Sequence, residues 1–467
     1  MRKIVLYLFF YLFHTTLVAQ QTFPYNGVSN NKHIFYAFTN AKIFVDHEII
    51  IENGILLIKE GLIVGIGENL ELPKGTVIFD LKGKFIYPSL IDAYTNYGMP
   101  EPRLITKGTI PQMESNSKGA CGWNQSVKAE IEAHRIFNSD SKAAEEMRKI
   151  GFGAVLTFQK DGIVRGSAAF VSLADGRENE LIICEKAAAM FSFDKGTSTQ
   201  DYPSSLMGSV ALLRQTYLDA DWYKKQTSSS ANIPNRTIKN VIEHTELNFS
   251  LEGFNNLQKL PQIFETTDKL SALRADKIAA EFNVKYIIKA SGNEYQRLEE
   301  LKLTNCKFII PLNFPAAYDV EDAYDALNLS LAELKHWEMA PSNPFALEKY
   351  SIPFAITTAD LKDKKDFWKN IRKAISNGLS EKQALKSLTV TPAEMLNVSD
   401  KIGRLKNGFL ANFIITSGNL FDETTIIFEN WIQGISYKLN EYNSLDIRGD
   451  YDLIIDNKDI NKLKIEC

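Results

Sequence analysis

From 33 to 80 the chain alternates short apolar runs with polar or glycine-bearing turns. The runs at 35–38, 41–45, 54–59, 62–66 and 76–79 are four to six residues long, and Gly61, Gly65, Gly67 and Gly75 punctuate them. Runs of that length between turn residues predict strands, and their close spacing predicts a small β unit of hairpins. Past Asp80 the period changes. Apolar runs at 154–158, 261–265, 285–289, 308–312 and 352–357 are separated by helical periods, the clearest at 141–150, 204–226, 268–282 and 293–303. Such a pattern implies βα units and a parallel sheet. Ser380 with Gln383 predicts a capping box opening a helix that ends near Leu388, and Thr391-Pro392 opens the next. β character returns at 411–416, 425–428 and 431–437. The expected fold is therefore α/β: a (β/α)8 TIM-like barrel over 85–400 beside a small β-sandwich built from 33–84 and 401–440. A strand-like extension occupies 441–467.

Composition narrows the function classes. A chain of 467 residues with 45% hydrophobic and 24% charged residues is ordinary for a globular protein of two or three cores. A formal net charge of −4 leaves no basic footprint for nucleic acid. Met1-Arg2-Lys3 followed by the apolar run 4–13 and small residues to Gln20 has the layout of a secretory signal peptide, too short to span a bilayer. The expectation is an exported chain, periplasmic or secreted, with no membrane attachment after cleavage of 1–20. Cys121, Cys184, Cys306 and Cys467 form no C-x-x-C pair, so neither a redox motif nor a zinc knuckle is present.

One stretch carries more chemistry than the rest. Asp80-Leu-Lys-Gly-Lys-Phe-Ile-Tyr-Pro-Ser-Leu-Ile-Asp-Ala-Tyr-Thr-Asn96 resembles the first barrel strand of the amidohydrolase superfamily (metal-dependent hydrolases, imidazolonepropionase-like), whose run ends in two metal-binding histidines. Asn40-Ala-Lys-Ile43, Glu60-Gly-Leu-Ile-Val-Gly-Ile-Gly67, Thr391-Pro-Ala-Glu-Met-Leu396 and Gly403-Arg-Leu-Lys-Asn-Gly-Phe-Leu-Ala-Asn412 resemble further elements of that family, in its order and spacing. The resemblance runs from about His33 to Tyr437. It implies a barrel whose metal activates water for hydrolysis of non-peptide carbon–nitrogen bonds. The two histidine positions are here Tyr94 and Asn96, poor zinc ligands beside imidazole. The family's last-strand aspartate falls on Ala359, with Asp360 one residue late, and a one-residue offset turns a side chain to the other face.

Barrel chemistry sits at the C-terminal ends of strands. Those positions make Asp360, Glu265 and Lys289 the candidate catalytic groups, with Glu265 and Lys289 ending consecutive strands and placed to pair with each other. Tyr94, Asn96, Arg165, Trp123 and Thr358 are the candidate ligand-binding residues: Arg165 on a turn after the strand at 154–158, Trp123 on a long loop, 99–125, expected to cover the mouth. His244, in Glu243-His-Thr-Glu246, is the most metal-like histidine by company. No cofactor is expected, and zinc or another divalent metal only if the site is non-standard. Two readings stay open. The barrel is a pseudoenzyme that binds a small molecule or peptide at its mouth or supports a catalytic partner chain, or it is a hydrolase with a non-standard mono-metal or metal-free site.

Overall fold

The N-terminal segment forms five strands, with left-handed residues at Glu60-Gly61, Gly75 and Lys82-Gly83 marking the breaks after the second, third and fourth: β1 (Tyr36–Phe44), β2 (Ile50–Lys59), β3 (Leu62–Gly67), β4 (Val77–Asp80) and β5 (Phe85–Pro88). Eight more follow: β6 (Leu90–Thr95), β7 (Phe152–Thr157), β8 (Val164–Ser172), β9 (Ile182–Ser192), β10 (Gln262–Glu265), β11 (Tyr286–Lys289), β12 (Lys307–Pro311) and β13 (Phe354–Thr357). The chain then returns through β14 (Phe413–Thr416), β15 (Ile427–Ile432) and β16 (Ile435–Lys438), and a hairpin of β17 (Gly449–Ile455) and β18 (Lys458–Ile465) comes last. This computed structural model describes residues 34–102, 108–115, 117–231, 246–442, 449–455 and 458–465. The expected signal peptide, His33, His244 and Cys467 lie outside the described residues.

The terminal β segments share one sheet, in the order β16-β15-β14-β5-β1-β2-β3, with β4 also on β1. The sequence predicts a sandwich; the structure has this single sheet, curled around its own core. β1 and β15 are three steps apart, roughly 14 Å in a flat sheet at ~4.8 Å per step. The rings of Phe38 and Trp431 nevertheless lie 5.0 Å apart, centroid to centroid. Phe38, Ile43, Leu56, Phe413 and Ile415 are buried within the curl.

The second sheet runs β6 to β13 in sequence order. The expectation of eight parallel βα units needs correction. β6–β7 and the steps from β9 to β13 are parallel, but β8 is antiparallel to both neighbours. A short turn, not a helix, joins β7 to β8. The sequence hides both β8 and β9: all nine residues of β8 are buried, and Ala187–Ala189 in β9 has the composition of a helix, so no period of two marks either strand.

Residues from every strand of this path meet in one core, including Ile91, Leu156, Phe170, Met190, Ile263, Ile287, Ile309 and Ala355. The end strands touch through side chains. Thr357 Oγ1 lies 2.6 Å from Asp92 Oδ1 and 3.1 Å from the Tyr94 carbonyl oxygen, and Thr358 N–H donates to Asp92 Oδ2 at 2.9 Å. Among the described residues no backbone ladder pairs β13 with β6. Helices cover the outer face. Ser141–Ile150 is bounded as its sequence predicts: Asp140 accepts the N–H groups of Lys142 and Ala143 at 3.0 Å, and Gly151 closes it at φ 107°.

Candidate functional site

Side chains alternate along a strand, so the residue two beyond a core position also faces inward. Ile263 therefore predicts an inward Glu265, Ile287 an inward Lys289, and Ala355 an inward Thr357. Glu265 and Lys289 are register partners on β10 and β11, as expected from the sequence, yet they do not pair with each other. Glu265 Oε2 accepts from Arg165 Nη1 at 2.6 Å, and its Oε1 lies 2.7 Å from Lys160 Nζ. Lys289, only 2% exposed, forms its ion pair with Asp360 and sits over the Tyr94 ring, 5.6 Å from the centroid.

Arg165 reaches this place by two departures from regular structure. Because β8 runs backwards, its first residues, not its last, lie at the end where the parallel strands finish. The sequence puts Arg165 on a turn; it is the second residue of β8. Ala168 and Phe170 face the interior from that strand, and strict alternation would turn Arg165 outward. A register irregularity between Val164 and Ser167 inverts the alternation. Gly166 lies in that irregularity at φ +79°, where a Cβ would meet the Ile131 carbonyl oxygen at 2.0 Å. The turn before β8 is held by Asp161, which accepts from Thr197 N–H and Oγ1 at 2.7 and 2.8 Å and pairs with Lys128.

The guanidinium, 2% exposed, is thus engaged through Nε and Nη1. Nε donates to the Gly162 carbonyl at 3.0 Å, and Nη1 donates to the Tyr94 hydroxyl oxygen at 3.1 Å as well as to Glu265. The electrostatics follow. Burial acts to raise the pKa of Glu265, but Arg165 and Lys160 outweigh it and hold the carboxyl down at about 2. Burial acts to lower the pKa of Arg165, and the Tyr94 and Glu265 groups raise it instead. Burial pushes the Tyr94 phenol well above its ordinary value.

Asp92, fully buried, accepts from Thr357 Oγ1, Thr358 N–H, Thr358 Oγ1 and Tyr94 N–H at 2.6 to 3.1 Å. Burial raises its pKa and those donors work against the shift. With its oxygens so engaged, Asp92 ties β6, the first strand of this sheet, to the end of β13, the last. Asp360 reaches Lys289 despite its one-residue offset because its own φ of +65° turns the chain back.

Above this network lies an open cavity of about 1130 Å³, whose wall includes Tyr94, Asn96, Phe158, Lys160, Thr358 and Asp360. Asn96 is exposed, one residue past the end of β6, whereas Tyr94 is buried within it. The two positions that resemble a ligand pair therefore face different surroundings. Met99, Pro100 and Glu101 of the long loop line the cavity. Trp123 is away from that wall: its ring stacks on Tyr202 at 6.2 Å, and its carbonyl accepts from Gln200 Nε2 at 2.8 Å. A second cavity of about 790 Å³ lies beyond the Lys160–Glu265 pair and shares both residues in its wall. Lys160 was not among the candidates. Its signal is its position, two residues past the interior Phe158 at the end of β7.

The metal that the family resemblance implies does not fit these residues. Tyr94 offers a phenol already engaged by a guanidinium. Asn96 lies outside the strand, Glu265 and Asp360 are each matched by a cation, and the Asp92 oxygens are taken by hydroxyl and N–H donors. Among the described residues no group of three or more His, Cys, Asp or Glu is arranged to hold a metal ion.

A path of eight strands beside a curled terminal sheet, with its polar groups gathered where the parallel strands finish, defines an α/β protein. The amidohydrolase family profile matches residues 240–442. The amidohydrolase from Thermotoga maritima MSB8 superposes with a TM-score of 0.67 at 21% identity, over 86% of this chain and 100% of that one. Another amidohydrolase structure gives 0.50 at 13% identity, over 87% of this chain and 100% of its own. Protein unc-33 of Caenorhabditis elegans is 26% identical over 154 residues, 33% of this chain and 16% of that protein, so the match spans about a sixth of that relative. The profile match, over less than half of the chain, supports the resemblance to the amidohydrolase superfamily read from the sequence, and the superposition supports the fold.

Proposed function

We propose that this chain is an exported amidohydrolase-superfamily member that has exchanged its metal for internal ion pairs and serves as a binding barrel. In this reading the second sheet works as a closed barrel, and the cavity of about 1130 Å³ receives a small polar molecule or peptide. The observation that carries the reading is the pair of buried cations at the mouth. Arg165 and Lys289, each 2% exposed, occupy the interior where a dication would have to sit. Their charges are already balanced by Glu265 and Asp360, so no excess negative charge is left to hold a metal. Hydrolysis also lacks a ready base, because Asp360 is committed to Lys289.

The test is the metal content of the purified mature protein, measured by inductively coupled plasma mass spectrometry after expression with zinc, manganese and iron supplied. Less than about a tenth of an equivalent is expected, and close to one tightly held equivalent would overturn the proposal. N-terminal sequencing of the protein recovered from its own cells tests export, with a start after Ala19 or Gln20 expected.

A further inference from the structure

The connection from β12 to β13 carries a feature that the mouth does not use. It holds two short helices, Ala323–Leu327 and Leu331–Met339, and the second buries none of its residues. Tyr324, Leu327 and Leu331 are 78%, 79% and 73% exposed, and Val320, Leu334 and Trp337 are exposed beside them. In sequence, Val320, Tyr324, Leu327, Leu331 and Leu334 recur at intervals of four and three, and the break at 328–330 divides them between the two helices. Exposed apolar residues gathered in this way mark an interaction surface, whereas single ones do not.

The segment is folded and anchored. Ser330 and Glu333 form a reciprocal capping box, and His336 Nδ1 lies 3.1 Å from the Tyr295 hydroxyl with the two rings stacked. Asp322 caps the first helix through the Tyr324 N–H at 2.8 Å.

Charge narrows the occupant. Asp319, Glu321, Asp322, Asp325, Glu333 and Glu338 flank the apolar positions, against Lys335 alone, which is itself paired with Glu338. Burial, with help from the nearby Lys269, lowers the pKa of His336 and so disfavours its charged form. An acidic rim repels an anionic lipid surface and complements a cationic one.

We propose that the face formed by residues 320–337 docks an amphipathic helix of another protein, one whose apolar stripe is flanked by Lys and Arg. The leucines of the partner lie along the Tyr324–Leu327–Leu331–Leu334 track, and its basic flanks meet the acidic rim. The proposal stands apart from the reading of the mouth, since none of these residues lines either cavity.

The experiment uses the full mature chain and a fluorescein-labelled synthetic peptide of about 18 residues, with leucines at three- and four-residue intervals and lysines beside them. Its control has glutamates in place of the lysines. Fluorescence anisotropy at low salt should give a Kd of tens of micromolar for the lysine peptide, with at least about tenfold weaker binding for the glutamate peptide. The doubly substituted Leu327→Lys/Leu331→Lys protein, whose changes are on exposed positions, should keep its unfolding midpoint and lose at least about tenfold in affinity. Equal binding of the two peptides, no binding, or equal affinity of the substituted protein overturns the proposal. So does a concentration-dependent dimer in light scattering that the double substitution abolishes, which would assign the face to a second copy. Retention on phosphatidylglycerol vesicles lost in the same variant would assign it to lipid and likewise overturn the proposal.

Discussion

Replacing Glu265 with Gln removes one charge from the mouth and keeps the shape of the side chain. Arg165 then stays buried, 2% exposed, without its carboxylate. Two routes give the cost. Removing one partner of a buried ion pair costs about 3–5 kcal/mol. Independently, the Glu265 carboxyl sits at about 2 against an ordinary 4.5, and at about 1.36 kcal/mol per unit this is about 3 kcal/mol of stability. The sign follows from the direction of the shift. A depressed carboxyl contributes fully above the unfolded value and loses its contribution as pH falls through the folded one. Urea unfolding, followed by far-ultraviolet circular dichroism, should therefore find Glu265→Gln less stable by about 3 kcal/mol at pH 7, with the gap narrowing to about half by pH 3. A gap under about 1 kcal/mol at pH 7, or one that does not narrow in acid, would refute the claim that this pair balances a buried charge.

Asp360→Asn should fold, because asparagine tolerates the φ of +65° there, but it leaves Lys289 without a counter-charge. Asp360 is about a third exposed and water shares the load, so urea unfolding should show a loss of about 1–3 kcal/mol at pH 7. Gly166→Ala puts a Cβ 2.0 Å from the Ile131 carbonyl oxygen and should yield little soluble protein, while Gly67→Ala, which meets nothing within 4 Å, should express as the parent does. Tyr94→His with Asn96→His restores the family's ligand types but not its surroundings, since Arg165 and Lys289 remain. Titration calorimetry should find no zinc binding tighter than about 10 μM, and stoichiometric nanomolar binding would show that the buried cations are no barrier.

The helix Ser141–Ile150 and the strands β10 to β13 could be read from the sequence, because caps, glycine stops and apolar run lengths are local signals. The candidate site was legible residue by residue but not in its wiring. Glu265 and Lys289 are neighbours by register, and the sequence expects them to pair. Inward side chains where the parallel strands finish choose partners across the interior as well as beside them, and Lys289 reaches Asp360 while Glu265 reaches Arg165. That choice depends on the reversal of β8 and the irregularity at Gly166, and neither leaves a mark in hydrophobic periodicity. The offset of Asp360 was legible; the positive φ that compensates for it was not. Trp123 was singled out by residue type and loop length, which cannot tell a cavity wall from a stack on Tyr202.

The shared terminal sheet also dictates when this molecule can finish folding. β5 finds β14 beside it, and Ser89 Oγ donates to Asn430 Oδ1 across 341 residues of chain. The closely linked β7, β8 and β9 need only nearby partners and can assemble early, whereas the strand edge of β5 waits for β14, which is made after the whole β6–β13 sheet. A nascent or truncated chain ending before Phe413 carries an unpaired β5 edge, an adhesive surface for other chains. Pulse-labelled hydrogen exchange during refolding should accordingly protect the amides of β7 and β8 before those that join β5 to β14.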